Sequence, residues 1–173
     1  MKENHGFLTI AQAARLIEAR KLSPVELTEA LLMRVERFDS QLHAFITLTR
    51  DQAMKQARDA EAEIAGGRYR GAMHGIPFGL KDIYNTAGIA TTGNSKVCID
   101  HVPSEDAATT ARLYGAGGVL IGKLATHEFA HGGPSYDLPW PLPRNPWNRE
   151  HFVGGSSSGS AAAVGAGFVL GAL

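Results

Sequence analysis

The run Gly75-Ile76-Pro77-Phe78-Gly79-Leu80-Lys81-Asp82 decides the fold, because it reads as a short, continuously apolar strand that ends in charge. A second apolar segment of the same kind runs from Gly118 to Gly122. Between them a helix is expected, capped at Ser104 and running to about Tyr114. That is βαβ order. Strands that are apolar at every position belong to a sheet covered on both faces, so the expectation is an α/β fold rather than a half-exposed antiparallel sheet.

Working outward toward the N-terminus, the composition changes. Only Gly6, Gly66 and Gly67 of the 20 glycines precede residue 71. In that part Ile10, Ala13, Ala14 and Ile17 share one helical face, and Leu27, Leu31, Val35 and Phe38 share another. Ser23 as N-cap, Pro24 in the first turn and Glu26 as return partner predict a capping box for the second helix. Ala44 to Leu48 reads as a strand, and Ala53, Ala57, Ala60 and Ile64 mark a third helix stopped by Gly66. The expected organisation is a single domain over 1–173, with a mainly helical scaffold over 1–70 and an α/β part over 71–173. Toward the C-terminus, five prolines and two glycines between Gly132 and Pro146 exclude regular structure. With Trp140 and Trp147 they predict an ordered loop packed by aromatics.

Seventeen basic and seventeen acidic residues cancel, so the chain lacks the basic excess that nucleic acid or an anionic membrane surface would attract. The lone Cys98 forms no internal disulfide, and Met1-Lys2-Glu3-Asn4-His5 lacks the layout of a secretory signal. No run of about 18 uncharged apolar residues is present. A cytoplasmic protein with a small-molecule ligand, no membrane and no direct nucleic-acid contact is the expectation.

Three segments bear on chemistry. Lys81 closes an apolar strand and is carried inward, where a buried ammonium either finds a carboxylate or loses its proton, and a neutral lysine is a base. The plainer alternative is that Lys81 pairs with Asp82 or reaches solvent at the strand end. Adjacent strand residues point to opposite faces, which disfavours the direct pair. In Gly154-Gly155-Ser156-Ser157-Ser158-Gly159-Ser160, paired glycines before serines at a helix start gather N–H groups and hydroxyls at one point. No lysine follows Gly159, which speaks against a phosphate loop, and a flexible linker would not run into the alanines that follow. His127-Glu128-Phe129-Ala130-His131 matches the H-E-x-x-H zinc pattern, but Gly132-Gly133-Pro134 would end its helix at once.

In order and wording these segments resemble the amidase-signature family. "GIPFGLKD" looks like its lysine strand and "GGSSSGSAAAV", from Gly154 to Val164, like the core of its signature; "GVLIGKLATHEFAHG" and "RNPWN" are also similar. The resemblance implies an α/β fold with a mixed sheet flanked by helices, present here as a partial one. It implies that Lys81 is the catalytic base and Ser156 the bridging serine, whose preceding peptide bond is cis, with neither cofactor nor metal. In the family, lysine takes a proton from the bridging serine, which takes one from the serine that attacks the amide.

That nucleophile belongs to a second segment of the type G-T-D-x-G-G-S, and the chain stops at Leu173 just before it. The expectation is therefore an amide-bond hydrolase whose 173 residues do not hydrolyse alone, truncated before the nucleophile. Its partners would be a small-molecule amide and either a homodimer mate or a complementing C-terminal portion. The alternatives are a non-catalytic amidase-like binding module, the A-type subunit of an amidotransferase and, through His127, Glu128 and His131, a zinc peptidase.

Overall fold

The first three helices form where the sequence supplies an apolar stripe. The computed structural model describes residues 5–173; of the N-terminal stretch read for a secretory signal, all but His5 lies outside them. In chain order the elements are α1 (Ile10–Glu18), α2 (Pro24–Leu42), β1 (Phe45–Leu48), α3 (Arg50–Ala65), β2 (Pro77–Lys81), α4 (Ala108–Gly115), β3 (Val119–Leu124), α5 (Ser158–Gly165) and β4 (Gly171–Ala172). Ser23 caps α2, accepting the N–H of Val25 at 3.0 Å and of Glu26 at 3.1 Å. The carboxylate that meets its hydroxyl is Glu61 of α3, not Glu26. The capping box forms instead on α1, where Gln12 N–H donates to Thr9 Oγ1 at 3.2 Å and Thr9 N–H to Gln12 Oε1 at 2.8 Å.

The helix expected from Ser104 starts later, at Ala108, with no side-chain cap. The residues before it are drawn into tertiary bonds. Asp106 Oδ1 accepts the Ala87 N–H at 2.7 Å, and Ala107 N–H donates to the Asn85 carbonyl at 2.9 Å. These bonds tie the approach to α4 onto the segment that follows β2, which overrides the local preference for a cap.

The sheet has strand order β1-β3-β2-β4. It is mixed: β2 runs parallel to both β3 and β4, while β1 is antiparallel to β3. Every residue of β2 and β3 is buried, as continuously apolar strands require. On one face Val119 and Ile121 pack with Leu32 and Val35 of α2, Ala53 and Ala57 of α3, and Ala162 and Ala163 of α5. On the other, Phe78, Leu80 and Leu120 meet Ile89 and, from α4, Leu113 and Tyr114. Each such Leu, Ile or Phe contributes about 1.5–3 kcal/mol when fully buried.

One irregularity in this sheet positions the site. Phe78 pairs with Leu120 and Gly79 with Gly122, so β3 holds one extra residue, Ile121, between the two pairs. An extra residue reverses which face the following side chains take. Beyond it Leu80 pairs with Lys123, and Lys81 with Leu124. Leu80 belongs to the core on the α4 face and Leu124 to the core beneath α2 and α5, so the two lysines leave the sheet on opposite sides.

Candidate active site

Lys81 is the last residue of β2, and its side chain enters the α5 side of the sheet with 7% of the residue exposed. Its N–H donates to the Leu173 carbonyl beyond β4 at 2.6 Å, which fixes the strand end. Among the described residues the amine makes no ion pair; Nζ lies 2.7 Å from Ser156 Oγ. Burial pushes the Lys81 pKa below the ordinary lysine value. Withdrawal from water penalises the ammonium, and no carboxylate among the described residues offsets that penalty.

Ser156 is held from three sides. Gly154 takes a left-handed φ of 89°, the Gly155–Ser156 peptide bond is cis, and the Ser156 carbonyl accepts the His127 N–H at 3.0 Å. Gly155 lies flat against the His127 ring, where any Cβ would strike the imidazole. Behind it α5 begins on the end of β3. Gly159 N–H donates to the Ala125 carbonyl at 2.8 Å, and a side chain at that position would collide with the backbone of Ala125 and Ala44. Gly155 and Gly159 are there for close approach, and Gly154 for its left-handed φ.

On the opposite face, Asp82 is fully buried and paired with Lys123, Nζ to Oδ1 3.2 Å, at an angle that makes the contact an ion pair rather than a directed hydrogen bond. Lys123 also donates to Thr91 Oγ1 at 2.5 Å, and Asp82 Oδ2 accepts the Thr92 N–H at 2.8 Å and its hydroxyl at 2.6 Å. Burial drives the Lys123 pKa down, with Asp82 opposing the shift. The carboxylate nearest to Lys81 in sequence is thus committed to another cation, as the alternation of strand faces predicts. Lys123 was not foreseen. Its signal is the one that marks Lys81: a lysine in an otherwise apolar strand.

Residues 26–173 match the family described as Amidase. This chain belongs to the amidase family. Among its relatives is a Glutamyl-tRNA(Gln) amidotransferase subunit from Azotobacter vinelandii, 47% identical over 162 residues that cover 94% of this chain and 33% of that protein. Another is a putative amidase of Mycobacterium tuberculosis, 40% identical over 96% of this chain and 34% of its own length. Among solved structures, the native peptide amidase from Stenotrophomonas maltophilia superposes with a TM-score of 0.84 at 35% identity, over 94% of this chain and 35% of that one. The chain spans about a third of the length of the curated relatives it matches.

In this amidase-family chain the H-E-x-x-H segment is not a helix. Glu128–Ala130 is a single 3-10 turn, with left-handed φ values of 47° at Phe129 and 59° at Ala130. The two imidazoles therefore do not share a helical face, and among the described residues no three His, Cys, Asp or Glu side chains gather. His127 Nδ1 faces the Gly132 carbonyl at 2.9 Å, and Glu128 accepts the Ser95 hydroxyl at 2.6 Å. The zinc reading fails on this geometry. The Gly-Gly-Pro that follows breaks the helix, and the Phe129 N–H is taken by the Gly93 carbonyl at 2.8 Å. The proline-rich loop does lack regular structure. Trp140 is half-buried and lines a cavity of about 630 Å³ with His127, Phe152 and Ser158. Trp147, expected to pack, is 85% exposed.

Proposed function

We propose that this chain supplies the lysine and the bridging serine of an amide-bond hydrolase working by a serine–serine–lysine relay. The observation that carries the reading is the 2.7 Å contact between a buried amine without a carboxylate partner and the Ser156 hydroxyl. Neutral Lys81 takes the proton of Ser156 Oγ. Ser156 takes that of a nucleophilic serine as the latter attacks the amide carbonyl. The relay then runs backwards to protonate the departing amine, and water releases the acid and restores both serines. Such a lysine works near neutral pH only when desolvated, and its site meets that condition.

The nucleophile belongs to the family's second glycine-rich segment, which these 173 residues do not contain. On this reading they form one incomplete domain, supported by a sheet that draws β1 from the first 70 residues and β2, β3 and β4 from the rest. The substrate is a small amide, and the setting is the cytoplasm. A second reading, as part of an amidotransferase, is favoured by the 47% identity to a protein of that name. It retains the same relay and would add partner subunits. Among the described residues no helix is long and apolar enough to cross a membrane.

The test is ammonia release from primary amides by the polypeptide of the complete reading frame that carries these residues. Lys81→Met and Ser156→Ala should each lower kcat/KM by roughly 10⁴-fold or more, chiefly through kcat. Either variant keeping a tenth of the activity would rule out the relay.

A further inference from the structure

The buried polar groups on the α4 face of the sheet are not used by the relay, yet they connect its two halves. Asp82 follows Lys81 directly, and its carboxylate holds Thr92 through both the N–H and the hydroxyl. Thr92 Oγ1 accepts the Asn94 N–H at 3.0 Å, and Asn94 Nδ2 donates to the Thr126 carbonyl at 2.5 Å. Thr126 precedes His127, whose N–H donates to the Ser156 carbonyl at 3.0 Å. The path runs from the residue beside the amine to the residue that grips the serine loop. None of Asp82, Thr92, Asn94 and Thr126 is more than 2% exposed. Two staples brace it: Phe129 N–H on the Gly93 carbonyl at 2.8 Å and Ser95 Oγ on Glu128 at 2.6 Å.

Stability does not account for such a cluster. Replacing a buried ion pair and its hydrogen bonds by apolar groups of equal volume is often neutral or stabilising, whereas directed polar bonds fix one geometry. Here Asn94 Oδ1 and Thr126 Oγ1 have no hydrogen-bond partner among the described residues, so the links that count are those through Asp82 Oδ2, Thr92 and Asn94 Nδ2. We propose that the Asp82–Thr92–Asn94 clamp, anchored by Lys123, sets the separation of the Lys81 amine and the Ser156 hydroxyl, so that Thr92 and Asn94 are positioning residues. This rests on the relay proposed above. Without the clamp the end of β2 and the segment at His127 keep their backbone bonds, Asp82 N–H to the Leu124 carbonyl and Gly93 N–H to the Asp82 carbonyl, both at 2.9 Å. They lose the side-chain bonds that fix their separation, so the amine–hydroxyl contact loosens and water reaches Lys81. The titratable side chains on the elements around Lys81 are Asp82 and Tyr84 after β2, Lys123 on β3 and His127 beyond it; β4 and α5 carry none.

The experiment uses the polypeptide of the complete reading frame that carries these residues, labelled with ¹³C at lysine Cε and titrated by NMR, the Lys81 signal being assigned with Lys81→Met. Thr92→Val keeps the side-chain shape and removes the hydroxyl. Asn94→Gly suits the left-handed φ of 56° at that position and removes the bond to Thr126. In both, the Lys81 midpoint should rise by about one pH unit toward the ordinary value of about 10.4. Thr92→Ser, which retains the hydroxyl, should leave it within about 0.2 units of wild type. The proposal is overturned if either folded variant titrates as wild type, or if Thr92→Ser moves as far as Thr92→Val. The midpoint is read without turnover, so failure of the relay, seen as hydrolysis surviving Lys81→Met, is told apart from failure of the clamp.

Discussion

Lys81 and Lys123 show how one residue type takes two roles in adjacent strands. Both are withdrawn from water and both have lowered pKa values, burial being the leading cause in each. What separates them is the partner: Asp82 holds a charge against Lys123, while only a hydroxyl faces Lys81. The charged form is therefore left without an opposing carboxylate at the lysine proposed as the base. Gly155 is the companion requirement, since its bare Cα lets the His127 ring lie on the serine loop. Gly155→Ala should push that ring or the loop aside and lower kcat at least about tenfold, because a displacement near 1 Å costs on the order of 100-fold in a positioned reaction. Steady-state kinetics on amide hydrolysis checks this, and an unchanged kcat would refute the packing account of Gly155. At this scale the strand ending in Lys81 and the glycine–serine loop stood out as segments, but Lys81 as base and Ser156 among its neighbouring serines were singled out by the family resemblance. The Lys123–Asp82 pair and the role of Asn94 were not, because their partners arrive from segments remote in sequence.

The elements were legible where local chemistry and packing agree. The four positions Ala53, Ala57, Ala60 and Ile64 mark the buried stripe of α3, and Gly66 caps it. Prediction fails where tertiary bonds compete. Asp106 serves Ala87 rather than the start of α4, and β4 is too short to announce itself beside the small residues of α5. The extra residue in β3 leaves no local signal either, although it decides which lysine meets which partner. Ser23 combines a local and a distant function, accepting two N–H groups of α2 while its hydroxyl meets Glu61 of α3. Ser23→Ala should therefore cost about 1 kcal/mol from the lost cap. A urea midpoint at the wild-type value would show that the cap contributes nothing.

For the whole molecule, the layers place Lys81 and Ser156 where water is scarce and the chain ends of several elements meet. The tip of β2, the start of α5, the residues after β3 and Leu173 beyond β4 converge within one hydrogen-bonded patch. That the sheet is covered on both faces followed from the apolar strands, and that it is mixed followed from the family resemblance. The convergence did not, since it depends on the crossovers that bring residue 156 back to residue 81. The measurement closest to the central claim is the pH dependence of kcat/KM for amide hydrolysis by the polypeptide of the complete reading frame. Desolvation lowers the folded pKa of Lys81, so the amine is neutral above that midpoint and protonated below it. Activity should hold above the midpoint and fall about tenfold per pH unit beneath it, with the limb below the ordinary lysine value of about 10.4. A limb at the ordinary lysine value, or one that persists unchanged in Lys81→Met, would contradict a buried neutral lysine as the base.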